Sequence, residues 1–163
     1  MLYFGLKFLH VIGAAVLLGT GAGIAFFMLV AHLSGSALKV AAVARIVVLA
    51  DFVFTATAVI AQPLTGVALA WHVGYPLTEG WIVASMALYI VTGAFWLPVV
   101  WMQIRMRDLA EAAVAGGQPL PRAYHNLFWT WFAFGFPAFA AVLAILWLMI
   151  VRPPGQIWTW FGA

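Results

Sequence analysis

The stretch 41–72, AAVARIVVLADFVFTATAVIAQPLTGVALAWH, decides the fold. It is much longer than the about 20 apolar residues that a helix needs to cross a bilayer core, and Arg45 and Asp51 are its only side chains of fixed charge type. Three further segments, 3–32, 81–104 and 124–151, have the same character. The connections between them, 33–40, 73–80 and 105–123, are short. No segment alternates apolar and polar residues with period two, which excludes a barrel. The sequence therefore predicts an all-α protein, a single integral membrane domain over residues 1–163. Its four transmembrane helices are expected in an up-down-up-down bundle.

Composition agrees with this reading. The chain is 67% hydrophobic and 7% charged, with a mean hydropathy of +1.12, against about 45–50% and about 25% in soluble domains. The polar remainder is too small for a separate catalytic domain. The seven Lys and Arg are scattered and form no nucleic-acid patch. Lys39, Arg45, Arg105, Arg107 and Arg122 fall on the side of the first and third connections, and Lys7 and Arg152 on the other. The positive-inside rule then places both termini outside, which is the periplasmic side of a bacterial inner membrane. Trp71, Trp81, Trp158 and Trp160 are expected in an outer aromatic belt, and Trp101 and Trp129 toward the inner face. Cys is absent, which removes disulfides, thiolate metal sites and Cys catalysis. The N-terminal apolar run exceeds the length of a signal-peptide core, so a cleaved leader is not expected. The run Arg105-Met106-Arg107-Asp108-Leu109-Ala110-Glu111 reads as the third helix entering water, with a break at Gly116-Gly117-Gln118-Pro119.

Polar residues inside the spans carry the functional signal. Asp51, Thr55, Gln62, Thr65 and His72 are spaced by 4, 7, 3 and 7, which on a straight α-helix confines them to about a third of the circumference. Such a seam belongs toward the bundle interior, because a polar group facing lipid costs several kcal/mol. The plain reading is a kinked packing helix; the functional one makes Asp51 and Gln62 candidates for a proton or quinone path. Pro63 lacks a backbone donor and leaves the Val59 carbonyl free or hydrated.

The four histidines divide by depth. His10 and His32 lie 22 residues apart, about 33 Å along one helix. The topology then pairs His10 with His72 at the outer side, and His32 with His125 at the inner side. Small residues accompany the first pair: Gly13, Ala14 and Gly21 on one helix, Ala61, Thr65 and Ala68 on the other. Two facing imidazoles beside small residues leave a slot for a flat ligand, and axial His commonly holds haem iron. The candidate cofactor site is His10, His72, Gly13 and Thr65, with His10 and His72 as iron ligands. Against it, small-residue faces such as Ala15, Gly19 and Gly23 serve close helix packing, and interfacial His is commonly wetted. A closed zinc site needs about four grouped ligands, and the six Met are too dispersed for a copper ladder. Arg105 and Arg107 suit lipid phosphates; an inward Arg105 would suit a propionate or a quinone head group.

Several motifs resemble known membrane proteins. Lys7-Phe8-Leu9-His10-Val11-Ile12-Gly13, Asp51-Phe52-Val53-Phe54-Thr55, Gln62-Pro63-Leu64-Thr65-Gly66, and Trp96-Leu97-Pro98 through Arg107 resemble a family of predicted bacterial integral membrane proteins of unknown function. More distantly, Lys7-x-x-His10 and His32 resemble the start of the HemJ-type protoporphyrinogen oxidases, in the wider CopD-like group. That resemblance implies b-type haem and makes His10 the transferable position. The chain departs from the oxidase pattern at Ser85, where the HemJ type carries Lys, so the porphyrinogen-oxidising activity itself is not implied.

These readings converge on a haem b membrane protein with a redox or electron-transfer role, and, if an enzyme, on a haem-dependent oxidoreductase. Its partners would be the bilayer, a quinone or redox protein, and further copies of itself. The alternatives are a structural or assembly subunit of a larger membrane complex and, by analogy with the CopD-like group, a metal or small-solute carrier.

Overall fold

The computed structural model describes residues 1–155; Trp158 and Trp160 lie outside the described residues. The chain forms α1 (Leu2–Leu33), α2 (Ala37–Ala50), a π-helical segment (Asp51–Thr55), α3 (Ala56–Val73), α4 (Gly80–Ala115) and α5 (Arg122–Val151). No strand occurs among the described residues. Four stretches are long and apolar enough to cross a membrane: α1, the continuous run 37–73, α4 and α5.

Local chemistry sets the helix ends. Ser36 is the N-cap of α2, its side chain accepting from the Lys39 N–H, and the Ser34 hydroxyl donates to the Ala31 carbonyl. α3 stops at Gly74, whose φ of 85° suits a residue without Cβ. α4 runs on past the apolar span to Ala115, as the sequence reading of 105–111 has it, and its last turns remain amphipathic. Met106, Ala110 and Ala113 are buried, while Glu111 turns outward to meet Arg45 at 2.7 Å. It then breaks at Gly116-Gly117, with Gly117 at φ 60°.

The π-helical segment shapes the fold most. The Ala56 N–H reaches back to the Asp51 carbonyl, one residue farther than in an α-helix. The Thr57 hydroxyl caps the loosened carbonyls of Val53 (2.6 Å) and Phe54 (3.0 Å). One extra residue rotates everything downstream by about 100°. As a result α2 packs on α4, whereas α3 packs on α1. The single polar seam expected for a straight helix is therefore divided: Asp51 and Thr55 are buried on the α4 side, Gln62 and Thr65 reach α1, and His72 is exposed.

The main core lies at the end of the bundle near the 33–37 connection. Ile24, Met28, Val40, Ala44, Val47, Met102, Met106, Tyr124, Phe128 and Trp131 are buried there, Tyr124 and Phe128 with no exposed surface. A small second cluster of Ala70, Trp81 and Ile82 closes the end near 74–80. Trp81 is thus a buried packing residue rather than part of an exposed belt, while Trp71 is 71% exposed. Between the two clusters no residue of α4 from 86 to 101 or of α5 from 132 to 140 is fully buried, and none of α1 before Ile24.

Candidate functional site

The loosely packed half contains His10. Its Nδ1 lies 2.9 Å from Thr65 Oγ1. The Thr65 hydroxyl has one proton and lies 2.8 Å from the Ala61 carbonyl, to which it donates. With that proton on the Ala61 carbonyl the hydroxyl accepts from a His10 Nδ1–H, and in that tautomer Nε2 carries the lone pair. Gln62 Nε2 donates to the His10 carbonyl at 2.8 Å. Two glycines make this approach possible. A Cβ on Gly13 would lie 2.7 Å from Gln62 Nε2, and one on Gly66 would lie 3.2 Å from the His10 ring. Gly13 and Thr65 therefore act through Gln62 and His10.

Pro63 acts as expected on Val59, but the freed carbonyl finds a protein donor: the Tyr89 hydroxyl of α4 bonds to it. Sequence spacing gives no sign of this, because it depends on how α3 and α4 meet.

His72 stacks on Tyr3, with ring centroids 6.0 Å apart, and no hydrogen bond or ring contact among the described residues joins it to His10. His32 and His125 are brought together, centroids 5.4 Å apart. His32 also lies flat on Phe128 at 3.7 Å. Ala15 and Gly19 line an open groove with Ile12, Val16, Thr20 and Phe54, on a face of α1 turned away from His10.

A second polar constellation surrounds Asp51, which is 4% exposed; Thr55 and Gln103 are buried with it. Thr55, Trp96 and Gln103 turn their polar groups toward its carboxyl. Trp96 and Gln103 reach it from α4, a pairing that the sequence did not show.

Among the described residues no group of three or more His, Asp or Glu is placed to hold a metal ion. A haem iron needs less from the protein, because the porphyrin supplies four nitrogens and one imidazole provides an axial ligand.

The chain belongs to the family described as predicted integral membrane protein (DUF2269), whose model matches residues 4–153. No curated protein and no solved structure matches it.

Proposed function

We propose that this member of the DUF2269 family is a b-type haem protein of the bacterial inner membrane with a redox or electron-transfer role. The observation that carries the reading is the contact between His10 Nδ1 and Thr65 Oγ1: with the proton on Nδ1, Nε2 is the lone-pair nitrogen. Histidines that bind metals commonly use their second nitrogen in this way, since the bond fixes both tautomer and ring orientation. The resemblance of Lys7-x-x-His10 to the HemJ type adds to it.

In this reading His10 is the iron ligand, Thr65 fixes its tautomer, and Gln62 holds the backbone beneath it. Bound haem would supply one-electron chemistry. His72, stacked on Tyr3, lends no support to a second axial ligand. The distribution of Lys and Arg puts both termini, and with them the His10 end, on the periplasmic side of an up-down-up-down bundle. A quinone or a redox protein would exchange electrons with the site.

The test is a reduced-minus-oxidised optical spectrum of protein purified from haem-replete cells. The wild type and His72→Ala should show a b-type spectrum, and His10→Ala should lose most of it. Thr65→Val should retain haem but shift its reduction potential, because the tautomer is no longer fixed. A colourless wild type overturns the reading; a stable membrane partner copurifying with it would then favour an assembly subunit.

A further inference from the structure

Four polar side chains meet where the π-helical segment faces α4, and one polar atom of each is left without a close hydrogen bond. Asp51 Oδ2, Thr55 Oγ1, Trp96 Nε1 and Gln103 Oε1 are sealed from solvent, and none makes a hydrogen bond of ordinary geometry. Thr55, Trp96 and Gln103 nevertheless turn toward the Asp51 carboxyl. Asp51 and Gln103 are 4% and 2% exposed. Leaving so many buried polar atoms unmatched is costly, and each such atom calls for an occupant.

The donor and acceptor set identifies that occupant. Asp51 Oδ2 and Gln103 Oε1 accept, Trp96 Nε1–H donates, and the Thr55 hydroxyl does either. Water matches a mixed set of this kind, needing two to four polar partners. A bare cation would suit the oxygens but would meet the positive end of the indole N–H. The backbone points the same way, because π-helical turns inside α-helices recur at functional sites. Here the turn buries Asp51 and Thr55 together.

We infer that Asp51, Thr55, Trp96 and Gln103 enclose a buried water site in which Asp51 is a proton-exchange group. A hydronium formed in that site gives one proton to Asp51 Oδ2. An O–H bond forms on the carboxyl, one breaks on the hydronium, and a water remains; release is the reverse, and no electron moves. Among the described residues no charged group faces the carboxyl. Lys7, His10 and His32 lie toward the ends of α1, and His72 on α3 is exposed. Arg45 on α2 pairs with Glu111, and on α4 Arg107 pairs with Asp108 while Arg105 is exposed. The inference is independent of the haem reading, and its test needs no haem.

The experiment is infrared spectroscopy of the protein in lipid vesicles, in H2O and in D2O, while the pH is varied. The chain has only four Asp and Glu, so one substitution assigns a carboxyl band. A protonated-carboxyl band should come and go reversibly, shift in D2O and vanish in Asp51→Asn. Trp96→Phe and Gln103→Met retain the carboxyl and should displace the band. Superimposable spectra of wild type and Asp51→Asn overturn the inference. Should Asp51→Asn fail to fold, the absence of displacement in both Trp96→Phe and Gln103→Met overturns it instead. Exchange of choline for Na+ at constant ionic strength should leave the Tm unchanged. A rise in wild type that Gln103→Met abolishes would overturn it in favour of a cation site.

Discussion

At single residues, the spans are held by polar groups that compensate for one another. Pro63 cannot donate to the Val59 carbonyl, and Tyr89 supplies the missing donor from α4. Tyr89→Phe keeps the ring and removes that donor, which leaves a half-buried carbonyl unmatched at a cost of about 1–3 kcal/mol. The variant should fold, and its thermal or denaturant unfolding in detergent should register the loss; unchanged unfolding would mean that the bond contributes nothing. Gly13 illustrates the opposite case, in which the absence of an atom matters. A Cβ there would displace the Gln62 carboxamide from the His10 carbonyl. Because the displaced atom ends a flexible side chain, Gly13→Ala should cost about 1 kcal/mol, the typical worth of one hydrogen bond. The same bond is lost in Gln62→Ala, so the two effects should not add in a double-mutant cycle. Additive losses would show that Gly13 acts elsewhere.

At the level of elements, the π-helical segment decides which helix each polar residue meets. Deleting Val53, which faces outward at 48% exposure, should restore an α-helix and turn α3 by about 100° relative to α2. The chain has no Cys, so single thiols placed at His10 and Thr65 report the α1–α3 register directly. A short reagent with two thiol-reactive maleimide groups should join them in the otherwise intact chain, and the yield should fall to background after the deletion. Equal yields would mean that α3 keeps its register without the extra residue. This segment also marks the limit of what the sequence discloses. The four apolar spans, the Gly116-Gly117 break and the disturbance at Pro63 were legible because length, composition and proline chemistry act locally. His10, Gln62 and Thr65 were legible as polar residues in apolar surroundings. Their partners were not, because an α-helical projection keeps Asp51, Thr55, Gln62 and Thr65 on one stripe, and nothing in DFVFT announces an added residue. Tyr89, Trp96 and Gln103 became visible only once the helices were seen to cross.

For the molecule as a whole, packing is concentrated at one end. Met28, Met106, Tyr124 and Phe128 are fully buried near the 33–37 connection, whereas α1 before Ile24 and the middle of α4 and α5 have no fully buried residue. In water the exposed apolar surface would drive collapse, but lipid is as apolar as Leu, and association depends on close packing and hydrogen bonds. Stability should therefore reside where side chains mesh, leaving the His10 half free to differ in spacing. Phe128→Ala opens a void of about 100 Å³, which at about 24 cal/mol per Å³ costs about 2 kcal/mol. Ile90→Ala, at a position 69% exposed, replaces contact with lipid by contact with lipid and should stay within about 0.5 kcal/mol. Reversible unfolding in mixed micelles measures both, and equal losses would refute the proposed asymmetry. If haem occupies the His10 half, its removal should sensitise that half alone. The Phe128→Ala loss should then be the same with and without haem.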